Sequence, residues 1–211
     1  SLNSGTRPYG SAVMYAPGKI LYVGGGTPPT STAEIIDLNS ANPHWSYTGS
    51  MAYARWNLNA TLLPTGGVLV TGGTGDSDRS KPSGAVNVAE LWNPGTGQWA
   101  QLATAAPLLR GYHSTTLLLP DGRVLHAGGG DGGDTPDNLN YEVYSPPYLF
   151  KGARPEISGV TPNAVGYGQT IDLTTPDAST ITKVTFIRMG SVTHAFDQAQ
   201  READALFAQY Q

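Results

Sequence analysis

The chain has 211 residues, 39% hydrophobic and only 13% charged, with 27 glycines, 16 prolines and no cysteine, a turn-rich β composition that excludes disulfide and thiolate chemistry within these residues. Its net charge of -4 and 12 scattered Lys and Arg residues lack the concentrated basic stripe that a nucleic-acid backbone demands, so no nucleic-acid partner is expected. No apolar run approaches the roughly 18 residues of a membrane-spanning helix.

From the N-terminus, apolar strands recur with paired glycines. Ser11 to Ala16 leads into "GKILYVGGG", Ala60 to Leu63 into "GGVLVTGG", and Thr115 to Leu119 into "GRVLHAGGG". The pairs at Gly24, Gly72 and Gly128 return roughly every 50 residues, a period that signals repeat architecture. A glutamate and a short apolar strand follow each pair, at Glu34, Glu90 and Glu142, and the first two units close on Trp45 and Trp99. Four short strands per unit predict an all-β fold of propeller blades, small antiparallel sheets whose faces are buried by radial stacking. Glycine after the second strand permits positive φ or close backbone approach.

The third unit lacks the closing tryptophan and runs into Pro146, Pro147, Pro155 and Pro162, which predict a domain junction. The expected division is residues 1–150 as about three blades and 151–211 as a second, incomplete domain. There "QTIDLTTP" and "ITKVTFIRMGSVTHAF" read as strands of a β-sandwich, and "DQAQREADALFAQYQ" has a helical composition. Three blades do not close a ring of roughly four to eight. The chain is therefore expected to be the C-terminal part of a longer protein, its missing blades supplied by upstream sequence or, alternatively, by another chain.

Four histidines carry the candidate chemistry. His44 reads as a surface residue and His126, within an alternating strand, as a packed one. Tyr112 and His113 sit side by side at the lead-in to a strand, where regular β geometry would point them to opposite faces. Gly111 makes a departure from that geometry cheap. His194 lies in the polar interruption "MGSVTHAF", a candidate hairpin tip. Two imidazoles and a phenol suit Cu(II), although ordinary packing explains each residue equally well in isolation.

The stretches "RGYHSTTLLLPDGRVLHAGGG", "YEVYSPPYLF", "RPEISGVTP" and "RMGSVTHAFDQAQR" resemble the galactose oxidase and glyoxal oxidase group of copper radical oxidases, and the likeness runs in order through nearly the whole chain. The resemblance implies a partial seven-bladed kelch-type β-propeller followed by an immunoglobulin-like β-sandwich, one loop of which reaches down the propeller axis. It implies copper as cofactor, held by Tyr112 as axial ligand and catalytic base and by His113 and His194 as equatorial ligands. It further implies oxidation of a primary alcohol or aldehyde, with O2 reduced to H2O2, and a secreted, extracellular location. The group's second redox centre is a tyrosine bonded to a cysteine. This chain has no cysteine, so that cofactor is not formable from it alone, and the isolated chain is expected to be inactive.

Arg55, in "AYARWNLN", is a candidate for the substrate rim, while Asn57 stands where the third unit has its tyrosine. The alternative function is a non-catalytic kelch-type module that binds carbohydrate or protein, with Trp92, Tyr148 and Phe150 as candidate sugar-facing aromatics. The glycine-rich "GGGDGGD" has no Lys-Ser/Thr in phosphate-cradling spacing. Asp131, Asp134 and Asp137 read as solvated turn acids rather than a Ca2+ loop.

Overall fold

A computed structural model describes residues 1–105, 107–130, 135, 137–166, 168–197 and 199–204. Its first sheet is an antiparallel meander of β1 (Ser11–Ala16), β2 (Lys19–Val23), β3 (Ala33–Asp37) and β4 (Ser46–Tyr47), hydrogen-bonded in that order. The second repeats the plan with β5 (Asn59–Leu62), β6 (Val68–Thr71), β7 (Val88–Asn93) and β8 (Gln98–Thr104). The third has three strands, β9 (Ser114–Leu118), β10 (Val124–Gly128) and β11 (Tyr141–Tyr144). Its chain meets the prolines at 146 and 147 where a fourth strand would form, and turns into a short 3₁₀ segment, Pro147–Phe150.

Alternation of apolar residues sets the layering. One core joins Val13, Leu21, Val23 and Ala33 of the first sheet to Ala60, Leu62, Val68, Val70 and Trp92 of the second. A smaller one joins Leu69 and Ala89 to Val124 of the third. The middle sheet is consequently covered on both faces, and every residue of β5 and β6 is buried. Trp92, a candidate sugar-facing aromatic by sequence, is 1% exposed and packs edge-on to Tyr15 with ring centroids 4.8 Å apart. A sugar-stacking role for it is thereby corrected to a core role.

A buried arginine marks the lead-in to each sheet, and each reaches the glutamate of its own third strand. Arg7 meets Glu34 at 3.2 Å, Arg55 meets Glu90 at 2.6 Å, and Arg110 meets Glu142 at 3.6 Å. The glycine pairs tie successive sheets together. The Gly25 N–H donates to the Arg55 carbonyl at 2.9 Å, and the Gly73 N–H donates to the Arg110 carbonyl at 2.8 Å. At Gly72, φ is +62° and an added Cβ would lie 2.3 Å from the Arg110 carbonyl oxygen, so only glycine fits.

Beyond the junction come three separate two-stranded ladders. They are β12 (Gly159–Thr161) with β13 (Asp172–Thr174), β14 (Thr185–Ile187) with β17 (Glu202–Asp204), and the hairpin of β15 (Val192–Thr193) and β16 (Phe196–Asp197). The helix expected from Asp197 onward is not formed among its described residues. Glu202–Asp204 pairs instead with the edge of β14, and ladder formation overrides local helical propensity. Residues 205–211 of that stretch lie outside the described residues. No helix among the described residues is long and apolar enough to cross a membrane.

Candidate metal centre

The segment before β9 is laced to the loop after β10. Arg110 donates through Nη1 to the Gly128 carbonyl at 2.9 Å and through Nη2 to Asn140 Oδ1 at 2.6 Å. Asn138 Nδ2 donates to the Leu109 carbonyl at 2.8 Å, and the Gly130 N–H donates to the Tyr112 carbonyl at 3.1 Å. Held between these ties, His113 adopts φ +61°, a left-handed conformation that few non-glycine residues take. The turn is made at the histidine itself rather than at Gly111, where sequence placed the departure; Gly111 is not left-handed. As a result Tyr112 and His113 project together instead of to opposite faces, with ring centroids 3.9 Å apart and planes inclined by 32°.

His194 arrives from the other end of the chain. Val192 pairs with Asp197 and Thr193 with Phe196, leaving His194 and Ala195 as the two-residue tip of a hairpin. Both have positive φ, 53° and 61°. That combination belongs to a type I′ turn, for which Asn-Gly is the favourable sequence. His194 lies 5.1 Å from His113 and 5.5 Å from Tyr112 between ring centroids. Three rings from two distant segments thus converge on one small volume, and the guanidinium of Arg79 lies 4.5 Å from the Tyr112 ring centroid. Sequence reasoning missed Arg79. Its loop carries no repeat signal, and only the fold brings it over the tyrosine.

The donor set suits a copper ion. His113 Nδ1 lies 3.1 Å from the Gly130 carbonyl, which accepts a hydrogen bond only if Nδ1 carries the proton. That tautomer frees Nε2 as a lone-pair donor. His194 Nδ1 is likewise engaged, by Thr193 Oγ1 at 2.7 Å. Tyr112 makes no hydrogen bond through its hydroxyl among the described residues. No group of three His, Cys, Asp or Glu side chains exists among those residues, so a site here rests on two imidazoles and one phenol. Three protein donors of mixed N and O type would hold such an ion without filling all of its ligand positions.

The other candidates lie elsewhere. Arg55 is 0% exposed and is spent on the Gly72 and Val88 carbonyls and Glu90, so it does not form a substrate rim. Burial lowers its pKa from the ordinary value, with Glu90 opposing the shift. His126 is buried in β10, and burial followed by the nearby Arg110 charge lowers its pKa to about 3. Its 4.0 Å approach to Glu142 is therefore a contact of a neutral ring and not an ion pair. His44 is exposed and meets only a local carbonyl among the described residues. Phe150 is 75% exposed, while Tyr148 is held by its hydroxyl to the Gly122 carbonyl. Asp131 and Asp134 lie outside the described residues.

Comparison with known proteins gives a consistent set of likenesses. Residues 154–209 match the family described as "Galactose oxidase-like, Early set domain". A galactose oxidase of Gibberella zeae is 33% identical over 218 residues, covering 94% of this chain and 32% of its own length. The aldehyde oxidase GLOX of Vitis pseudoreticulata is 30% identical over 236 residues, covering 95% of this chain and 45% of its own. A fungal alcohol oxidase solved in complex with copper superposes with a TM-score of 0.83 at 28% identity, over 94% of this chain and 44% of that one. The chain thus spans 32% of the length of the galactose oxidases it matches.

Proposed function

Because this chain belongs to the galactose oxidase and glyoxal oxidase group, we propose that it is the C-terminal part of a copper radical oxidase, with Tyr112, His113 and His194 as the copper ligands. The observation that carries the reading is the convergence of these three rings within 5.5 Å from segments on either side of the Pro-rich junction. In this reading the three sheets of residues 1–150 are kelch-type blades of a seven-bladed propeller, and 151–211 form part of an immunoglobulin-like domain. The propeller assignment is supported by the repeated meander, the Arg–Glu pairs and the sheet-to-sheet glycine contacts. An extracellular location follows from the family resemblance alone.

Bound by the three residues, copper would supply a one-electron redox centre for an alcohol or aldehyde. Tyr112 would receive the proton of the substrate hydroxyl, a general-base role that requires the substrate oxygen to come within hydrogen-bond reach of its phenol oxygen. His113 and His194 would hold the ion, since each ring is itself held through Nδ1. Overall, an alcohol, or an aldehyde as its hydrate, gives up two electrons and two protons, and O2 takes up both to leave as H2O2. The second electron needs a second one-electron centre, and with no cysteine these 211 residues do not supply the tyrosine–cysteine pair of the group. The remaining blades are thus assigned that centre, and the chain by itself binds copper without turnover.

Cu(II) titration of the chain, with His113→Ala and His194→Ala beside it, tests the assignment. Each substitution is expected to lower affinity by roughly 100-fold and remove one imidazole nitrogen from the EPR hyperfine pattern, on the scale of losing one of few ligands. Tight binding unchanged in both variants would overturn the ligand set and leave a non-catalytic module.

A further inference from the structure

The segment that carries His194 reaches the sheets through a side chain that imitates a backbone. β5 is the outermost strand of its sheet, so one edge of its backbone has no strand partner among the described residues. Gln200 fills part of that edge. Its Oε1 accepts the Leu62 N–H at 2.6 Å, and its Nε2 donates to the Ala60 carbonyl. A carboxamide offers the same donor and acceptor as a peptide group. The C=O of one residue and the N–H two residues on face the same way along a strand, so one side chain closes a complete rung. Gln200 is 7% exposed, and the rung is shielded from water.

Neighbouring ties make this rung part of a brace. Arg201 bridges to Met14 of β1 in parallel, bringing the segment onto the outer edge of the first sheet as well. Asp197 accepts the Ser191 N–H at 2.8 Å and closes the base of the hairpin whose tip is His194. The tip itself has two non-glycine residues at positive φ and does not hold its shape by local preference. Its position must come from what its base is fastened to.

We propose that Gln200 is a positioning residue for His194. By pairing with the bare edge of β5, it fixes the base of the hairpin and so sets where the imidazole meets Tyr112 and His113. The proposal rests on the reading of those three residues as copper ligands. Gln200 makes no hydrogen bond to any of them, so its influence passes through the hairpin.

The test compares the full chain with Gln200→Leu, which keeps the volume and loses both bonds, and with Gln200→Glu, which loses the donor to Ala60. Cu(II) titration and continuous-wave EPR give the metal readouts. Thermal unfolding checks the fold, and hydrogen exchange over residues 190–197 reads the hairpin without metal. Both variants are expected to unfold cooperatively, to exchange faster across the hairpin, and to bind Cu(II) roughly 10- to 100-fold more weakly, the range for residues that orient a ligand. Their hyperfine pattern should lose one imidazole nitrogen, as in His194→Ala. A folded Gln200→Leu with wild-type affinity and both nitrogens would overturn the proposal; should that variant not fold, Gln200→Glu decides by the same criterion. Failure of the copper reading looks different. There the unsubstituted chain binds Cu(II) indifferently to His113→Ala and His194→Ala, and the proposal falls with its premise.

Discussion

The lead-ins to β5 and β9 share one frame and end in different chemistry. In each, a buried arginine offers its carbonyl to the preceding sheet's glycine pair and its guanidinium to the glutamate of its own sheet. In the first two units the left-handed residue falls two places after the arginine, at Tyr9 and Asn57. In the third it falls one place later, at His113. That slip of one residue brings Tyr112 and His113 to a common side, whereas Asn57 is 2% exposed and sealed in the interior. The proposed ligand pair thus differs from the other lead-ins by the place of one backbone torsion, with the arginine frame left intact.

The sharpest way to break the comparison is to remove the frame in each place. Arg55→Ala leaves Glu90, 0% exposed, without its cation. It should destabilise the chain by about 3–5 kcal/mol in urea, the cost of breaking a buried pair from one side. Arg110→Ala leaves the more accessible Glu142, whose side chain is 29% exposed, and should cost less, about 2–3 kcal/mol for lost charged hydrogen bonds. Only the second should weaken Cu(II) binding, because Arg110, unlike Arg55, ties the Tyr112 segment to Gly128 and Asn140. Equal copper loss in both would mean that the frames are not independent.

Gly72→Ala probes the link between the two lead-ins. The new methyl would fall on the Arg110 carbonyl oxygen at a backbone angle that alanine resists. A loss of about 2–3 kcal/mol is expected from the clash and the torsion together. Cu(II) affinity should fall with it, since the displaced carbonyl lies two residues before Tyr112. A stability loss with wild-type copper binding would show that the β9 lead-in holds its geometry without the second sheet.

Much of this frame was legible in the residues. Glycine pairs, strand alternation and the recurring glutamates place the three sheets, because burial on both faces of a short sheet leaves a strong periodic mark. The partners of those glutamates were not legible. The arginines recur with the glycine pairs, at 7, 55 and 110, but nothing in a sequence says that an arginine some 30 residues upstream turns inward onto a glutamate, and Arg55 therefore reads as a rim residue when it is wholly buried. Tyr112, His113 and His194 were singled out by type and by family resemblance, but the positive φ that joins the first two is invisible in a sequence that offers Gly111 as the obvious pivot. The helix expected from Asp197 onward misreads a stretch with little core of its own, where Glu202–Asp204 pairs as a strand. Ile157, Phe186 and Met189 remain 62%, 47% and 66% exposed, and short edges pair where they find partners.

Between the two lead-ins lies His126, whose Nε2 has no hydrogen-bond partner among the described residues. Its pKa is lowered from 6.5 to about 3 in the fold by burial and then by Arg110. Below pH 6.5 the unfolded chain takes up a proton that the folded imidazole refuses, so stability falls as the pH drops from 6.5 toward 3. His126→Leu removes that linkage. From pH 6.5 to about 4.5 the unsubstituted chain should lose on the order of 2 kcal/mol more than the variant. Parallel stability curves for the two over that window would mean that His126 is protonated in the folded state.

The smallest effect sharpens the comparison at the opposite side of the site. His113 is held left-handed by ties on both flanks, whereas the His194 tip relies on a two-pair ladder and its base. Left-handed backbone costs about 1–2 kcal/mol for each non-glycine residue, and Ala195 has no chemical role that demands a side chain. Ala195→Gly relieves that torsion but frees the unfolded chain and deletes a methyl that is 2% exposed. The net change should be a gain of about 0.5–1 kcal/mol, seen as a higher urea midpoint at constant slope. Copper affinity should stay within about threefold, because a hairpin fastened at its base does not need alanine at its tip. A lower midpoint would show that packing of the Ala195 methyl, rather than the ladder and Gln200, keeps His194 beside Tyr112.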